Sequence, residues 1–179
     1  MGATRDSQAS SYREALAEHL LLAELLTTLW QSSRVAEVLK PIPGQAGYDV
    51  VIDCEGRVRY LQIKSTTTGA RTAQQFVHTR LARYPSACVV WAVLTRDMSA
   101  IDHFLWYGER MGQRLTGLGE LEVARHTKAN AEGMKAARPS VRRLPRTHFR
   151  RVKDVHELVE LLFEFQAERV KRGRSGRDA

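Results

Sequence analysis

Three polar side chains interrupt two neighbouring segments that otherwise have the composition of β-strands. Asp49 lies in residues 48–54, and Gln62 and Lys64 lie in residues 57–66. Both segments are rich in β-branched and aromatic residues, which is typical of strands. A carboxylate, an amide and an ammonium group are therefore predicted to lie on strands, where a rigid backbone fixes their positions.

The dipeptide Glu55-Gly56 separates the two segments and predicts a hairpin, because glycine adopts the positive φ that a tight turn requires. With a two-residue loop, Asp49 lies directly opposite Gln62, and the Cβ atoms of such partners are about 4.5–5.5 Å apart. Lys64 lies diagonally across from Asp49 on the same face, since strand side chains alternate with a period of two. The three polar groups are thus predicted to converge.

This convergence suits a hard cation such as Mg²⁺, which needs oxygen ligands and usually keeps several waters. Asp49 offers a charged oxygen, Gln62 a neutral one, and the backbone carbonyl of Ile63 could add a third. Lys64 would orient or deprotonate an attacking water, or neutralise charge that develops on a phosphate. The alternative is an ordinary solvated ion pair between Asp49 and Lys64, with Gln62 as a surface amide.

A carboxylate from a helix is expected beside this hairpin. Ser11 and Glu14 match a capping box, which predicts the start of a helix over about residues 12–32. Glu18 falls on the apolar, sheet-facing side of this helix, where an unpaired carboxylate is costly and a metal or Lys64 would offset the cost. Glu14 faces in a similar direction, although the capping box accounts for it without a functional role. The leucines that define the apolar side are Leu21, Leu22, Leu25, Leu26 and Leu29.

The order of these elements resembles the PD-(D/E)xK, or restriction-endonuclease-like, nuclease superfamily. The matching residues are Glu18 in the first helix, Asp49 in the tripeptide GYD, and Gln62 and Lys64 in the tripeptide QIK. The resemblance covers about residues 12–95. Gln62 stands where the motif usually has Asp or Glu, which is similar to the Q-x-K variant of Mrr-type restriction nucleases.

The resemblance implies metal-dependent hydrolysis of phosphodiester bonds, with Mg²⁺ or Mn²⁺ as the cofactor. It implies that Glu18, Asp49 and Gln62 bind the metal and that Lys64 assists the attacking nucleophile. Many nucleases of this kind act as dimers, because two strands need two sites, and a homodimer is therefore one expected assembly. Degenerate relatives that bind without cutting also occur, so an inactive nucleic-acid-binding protein is the first alternative function.

The remaining segments complete one predicted α/β domain with the order α-β-β-β-α-β, in which helices flank a mixed central sheet. A first strand is predicted near residues 34–42, and residues 72–85, which are ambiguous between strand and helix, are predicted as a helix. Residues 87–95 and 101–108 are predicted as further strands. The predicted boundaries are a flexible lead-in at 1–10, a nuclease-like domain at 11–170 (core about 12–108, basic extension about 109–151, terminal helix about 152–170) and a disordered tail at 171–179.

The chain carries a formal net charge of +8 and has a pI near 9.9, which favours an anionic partner. Between residues 125 and 153, ten Lys or Arg residues stand against the single acid Glu132. Such a run suits contacts to phosphates, and we expect a nucleic acid, DNA rather than RNA, as the partner. A basic surface without a function is the alternative. The residues predicted to contact nucleic acid are Thr66, Arg138, Arg142, Arg143, Arg146, Arg150 and Arg151.

Cysteine usage and hydropathy set the expected compartment. Cys54 and Cys88 form no close pair and suit buried reduced thiols, so a cytoplasmic location is expected. No run approaches 18 apolar residues and the N-terminus lacks the apolar core of a signal peptide, so no membrane partner is expected. A second alternative function is a protein-interaction module, in which Phe104, Trp106 and Tyr107 would be buried in a partner.

Overall fold

The protein is described by a computed structural model, which covers the backbone of residues 2–42, 46–126 and 136–165 and the side chains of these ranges from residue 11 onward. Two α-helices, nine strands and three short 3-10 helices make up this part of the chain. In chain order, the α-helices and strands are α1 (Gly2–Gln31), β1 (Ala36–Leu39), β2 (Val50–Cys54), β3 (Arg57–Thr67), β4 (Gln74–His78), β5 (Ala87–Leu94), β6 (Ile101–Gly108), β7 (Val123–Arg125), β8 (Ala137–Pro145), β9 (Arg150–Val152) and α2 (Val155–Phe163).

The larger sheet has six strands in the order β1-β2-β3-β5-β6-β9. Strands β3 and β5 are parallel, and the other neighbours are antiparallel, so the central sheet is mixed as predicted. The register of the β2–β3 hairpin is also the predicted one, since Cys54 pairs with Arg57 and Val50 pairs with Leu61. The chain therefore has a mixed α/β fold.

Both helices pack on one face of this sheet. In α1, a stripe at every fourth position is fully buried, as expected for an amphipathic helix that covers a sheet. Helix α2 begins at the N-cap Asp154, whose side chain accepts a hydrogen bond from the backbone N–H of Glu157. The buried positions of α1 are Ala17, Leu21, Leu25 and Leu29.

The other face is covered by a small sheet, and here the predicted helix at residues 72–85 is wrong. This segment forms β4 and then a 3-10 helix, Thr79–Arg83. Strand β4 pairs with β8 in a three-stranded sheet of order β4-β8-β7, and Val77 of β4 is fully buried against the large sheet. The local sequence is compatible with a helix or a strand, and pairing with the distant strand β8 favours the strand. In the described residues, both α-helices lie on one face of the central sheet, and the small sheet with the 3-10 helix covers the other.

The element ends also differ from the predicted ones. Helix α1 begins at Gly2, so the lead-in predicted at residues 1–10 is helical from Gly2 onward. Helix α2 ends at Phe163, because Glu164 adopts a left-handed conformation with φ 46°. Within the predicted basic extension, β9 joins the large sheet and β8 joins the small one. The tail predicted at 171–179 and the last part of the predicted terminal helix lie outside the described residues.

A fully buried arginine, Arg59 of β3, connects helix α2 to the large sheet through hydrogen bonds. Its guanidinium donates hydrogen bonds to the backbone carbonyls of Leu161, at 2.9 Å, and Leu162. It also donates to the carbonyl of Glu109 at 3.0 Å. Because these carbonyls include the unpaired ones at the end of a helix, Arg59 satisfies acceptors that the helix leaves free.

Three further predictions concern the two cysteines, the burial of Phe104 and membrane-spanning helices. Cys54 and Cys88 are buried and free, as predicted. Phe104 is buried in the core rather than exposed for a partner. No helix in the described ranges has the length and apolar character that crossing a membrane demands.

Candidate active site

The candidate site lies at the start of β2, where the pairing between β2 and β3 ends at Val50 and Leu61. The backbone N–H of Asp49 donates to the carbonyl of Leu61 at 2.8 Å, one residue before the β2 ladder starts at Val50. The Asp49 carboxylate then accepts the backbone N–H of Ile63, with 2.6 Å between Oδ2 and N. Asp49 therefore continues the hairpin with its side chain and is held against β3 by two hydrogen bonds.

A cavity of about 500 Å³ opens beside this carboxylate. It brings together three of the four residues predicted to be catalytic, namely Glu18, Asp49 and Lys64. They come from α1, the start of β2 and β3, so elements distant in sequence position one polar site. The complete lining is Ser11, Glu14, Ala15, Glu18, Asp49, Ile63, Lys64, Ser65, Gln75 and Phe76.

Burial and neighbouring charges perturb both central groups. Burial raises the pKa of the Asp49 carboxyl, while the Ile63 N–H and then Lys64 oppose the rise, and Glu18 and Glu14 add to it. Burial lowers the pKa of the Lys64 ammonium, and Asp49 and Glu14 partly oppose that change. The two groups therefore hold charge less readily than they would in water, which is typical of functional sites.

Glu18 occupies the predicted face of α1 but has a different partner from the expected one. Its carboxylate forms an ion pair with Lys40, which follows β1, rather than with Lys64. Glu14, one turn earlier on α1, lines the same cavity and acts on the pKa of both Asp49 and Lys64. The helix thus supplies two carboxylates to the site, where the sequence favoured one.

Gln62 is the predicted site residue that the structure separates from the other three. It is buried, with 8% of its surface exposed, and it is not among the residues that line the cavity. Its side-chain oxygen accepts the backbone N–H of His78 at 3.3 Å. Gln62 therefore connects β3 to β4, a role that no local sequence signal indicates.

The acidic groups suit a divalent cation that keeps most of its own waters. Within the described part of the chain, no three His, Cys, Asp or Glu side chains are arranged closely enough to hold a metal by themselves. Asp49, Glu14 and Glu18 nevertheless line one cavity, and the two glutamates raise the pKa of Asp49 by repulsion, which a cation would relieve. One or two protein oxygens are sufficient for Mg²⁺ when phosphate and water provide the rest.

One arginine acts electrostatically on Lys64 in the site, and two more act on His78, whose backbone N–H donates to Gln62. Burial is the main cause that lowers the pKa of Lys64 and of His78, and Arg138 of β8, whose side chain is exposed, adds to both changes. Arg80 and Arg83 of the 3-10 helix also lower the pKa of His78. Of these three, only Arg138 was predicted to contact nucleic acid. The other two lie in the segment whose conformation was mispredicted, so their position could not be deduced.

Several other predicted nucleic-acid contacts already have partners within the protein. Arg143 forms an ion pair with Glu122 at 2.9 Å, and Arg150 forms one with Glu157 at 2.8 Å. Arg142 donates to the backbone carbonyl of Pro139 at 2.7 Å. These guanidinium groups help to hold the small sheet and the start of α2.

Of the remaining predicted contacts, Arg146 and Thr66 are half-buried and both contact Trp91, whereas Arg151 is exposed. The Arg146 guanidinium lies 5.1 Å from the ring centroid of Trp91, within the range of a cation–π contact. The Thr66 hydroxyl oxygen accepts the indole N–H of Trp91 at 2.9 Å. Arg151 of β9 is exposed.

Comparisons with known proteins give a likeness to a solved structure. No protein-family model matches the sequence, and no curated protein matches it. Among solved structures, the chain is similar to a bacterial homing endonuclease, I-Ssp6803I, with 19% sequence identity and a TM-score of 0.32. The similar region covers 54% of this chain and 62% of that protein, which is less than two thirds of that protein's length.

Proposed function

We propose that this protein is a nucleic-acid-binding, metal-dependent phosphodiesterase, an endonuclease that hydrolyses the DNA backbone. The observation that carries the proposal is the cavity in which Glu18, Asp49 and Lys64 meet. Membership of the PD-(D/E)xK superfamily as a Q-x-K variant is part of the same proposal. The combination of carboxylates with a half-buried lysine supports it, because this set can bind a cation and also assist a nucleophile.

The proposed cofactor is Mg²⁺ or Mn²⁺. Asp49 and Glu18 would hold it. Gln62 is proposed as a third ligand through the lone pair of its amide oxygen that His78 does not use, although it lies outside the lining of the cavity. When bound, the ion would supply positive charge at the scissile phosphate and a more acidic water. The hydrogen bond from Ile63 keeps the Asp49 carboxylate in place without the ion, so little reorganisation is needed on binding.

Lys64 is proposed to act on the attacking water. Its ammonium is partly buried beside Asp49, and burial lowers its pKa, so it releases its proton more easily than an exposed lysine. The neutral amine can then accept a proton from water at Nζ. In its charged form, the same group would offset negative charge on the phosphate.

Phosphate contacts are proposed for the arginines next to the cavity and for the predicted basic run. Arg138 is the strongest of these candidates, because it is exposed and acts electrostatically on Lys64. Arg142, Arg143 and Arg150 have protein partners, but a guanidinium has five N–H donors and can serve a phosphate as well. Such contacts give affinity and register rather than sequence choice.

The decisive experiment is cleavage of linear duplex, single-stranded and branched DNA and of RNA, with Mg²⁺, Mn²⁺ or EDTA. We expect metal-dependent cutting that is lost in Asp49→Ala and Lys64→Ala proteins and kept in Glu37→Ala, an exposed carboxylate on β1. Binding of nucleic acid without cutting, indifferent to metal and to both site substitutions, would leave only the binding function. No binding and no cutting would contradict the proposal as a whole.

A further inference from the structure

One wall of the candidate site carries an exposed aromatic ring. Phe76 of β4 lines the cavity together with Gln75, and 39% of its surface is accessible to solvent. The rest of the lining is mainly polar or charged. Leaving a large apolar ring open to water beside carboxylates has a cost in free energy, and a ligand with an apolar face would remove it.

The backbone that carries Phe76 is held firmly from two sides. Strand β4 pairs along its length with β8, and Phe76 itself is opposite Arg143. On the side of the large sheet, the His78 N–H donates to Gln62, and Val77 is fully buried. The ring is therefore presented from a rigid strand, which is how proteins place aromatic platforms for bases.

The size of the cavity limits what can cover the ring. About 500 Å³ is in the range of pockets that enclose one small ligand, and it suits one nucleotide. A base that stays paired and stacked in a duplex cannot present its face to a side chain in such a pocket, so it must be unpaired or turned out. Gln75 also lines the cavity, and its amide can donate and accept hydrogen bonds at a base edge.

We infer that Phe76 stacks on a nucleobase adjacent to the phosphate bound near Asp49, and that the substrate is nucleic acid with unpaired nucleotides at the site. Single strands and unpaired stretches within duplexes present such bases. This inference rests on the proposed function, because it takes the cavity to bind a nucleic-acid backbone. It adds the substrate class, which the carboxylates and Lys64 leave open.

The test measures stacking separately from cutting. A single-stranded oligonucleotide containing 2-aminopurine, whose fluorescence falls when the base stacks on an aromatic ring, is titrated with the full chain in EDTA. We expect quenching with the wild type and with Phe76→Trp, and its loss in Phe76→Ala and Phe76→Leu, with affinity lowered about tenfold or more. The control is Trp30→Ala, since Trp30 is a 73% exposed aromatic residue on α1 that lines a different groove.

A fully paired duplex of the same sequence completes the test. The inference predicts weaker binding of the duplex by the wild type and no effect of Phe76→Ala on it. Equal quenching by wild type and Phe76→Ala, a preference for duplex, or no binding of either form would overturn the inference. Metal-dependent cutting with unchanged single-strand binding in Phe76→Ala would overturn it while the proposed function stands. Quenching that depends on Phe76 without any cutting would support the inference and contradict the nuclease proposal.

Discussion

The carboxylate of Asp49 is hydrogen-bonded to the backbone N–H of Ile63, with 2.6 Å between Oδ2 and N. This contact joins the start of β2 to the point on β3 directly before Lys64. It uses one carboxylate oxygen for structure and leaves the other for chemistry. The same residue therefore fixes the geometry of the site and carries a carboxyl group whose pKa is raised by burial.

Replacement of Asp49 by asparagine is expected to abolish metal-dependent cutting and to stabilise the protein at neutral pH. Burial raises the pKa of this carboxyl, so its ionised form is unfavourable in the folded state. The cost is present above the raised pKa and disappears as the pH falls below the pKa of the unfolded chain. The stabilisation by Asp49→Asn should therefore be largest at pH 7 and shrink towards acidic pH.

Thermal melts of the wild type and Asp49→Asn in EDTA, from pH 7 down to pH 3, check this expectation. Asparagine keeps an oxygen that can accept the Ile63 N–H, so the hairpin itself should be preserved. The control is Glu37→Gln, because Glu37 is exposed on β1 and should show little difference at any pH. A Tm for Asp49→Asn that is lower than that of the wild type at pH 7 would contradict the argument.

Replacement of Arg59 by alanine is expected to destabilise the protein by about 3–5 kcal/mol, because it opens a cavity and leaves several buried carbonyls without donors. The guanidinium is fully buried and donates to Leu161, Leu162 and Glu109. Urea unfolding monitored by circular dichroism measures the change. The matched control is Arg151→Ala on β9, an exposed arginine whose loss should cost within about 0.5 kcal/mol.

The hairpin and its polar residues could be predicted because their signals are local. The turn at Glu55-Gly56 and the alternation on both strands fix the register, and the leucine spacing of α1 fixes which face carries Glu18. Strand β4 could not be predicted, since its partner β8 lies 63–71 residues later. The position of Phe76 in the site depends on that pairing.

The burial of Arg59 was equally beyond sequence reasoning. Its charge and its place near a turn suggest a solvated side chain, and the carbonyls that it meets are about 100 residues away. The same limit applies to the basic run. Arg138 and Arg143 are equivalent in the sequence, and only the tertiary structure shows that Arg143 is paired with Glu122 while Arg138 lies near Lys64.

These two arginines of β8 provide a matched test of the nucleic-acid surface. Arg138→Gln should weaken binding and reduce the slope of log K against log salt by about one, because one phosphate contact is lost. Arg143→Gln should reduce the slope by less than Arg138→Gln does, since Glu122 already compensates part of its charge. Fluorescence anisotropy with a labelled oligonucleotide at several salt concentrations gives both slopes. Equal slopes for Arg138→Gln and the wild type would remove Arg138 from the proposed interface.

Gln62 gives the last prediction, because it distinguishes a metal ligand from a purely structural amide. Gln62→Glu keeps an oxygen for the His78 N–H and adds a negative charge, so a ligand role predicts cutting at lower Mg²⁺ concentration. Gln62→Leu removes that acceptor and should cost about 1 kcal/mol of stability, since the partly buried His78 N–H loses its partner on β3. Cleavage rates across a Mg²⁺ titration, with thermal melts of the same proteins, separate the two effects. An unchanged Mg²⁺ requirement in Gln62→Glu, together with a lower Tm in Gln62→Leu, would assign Gln62 to the connection between β3 and β4 and leave Asp49 and Glu18 as the proposed ligands.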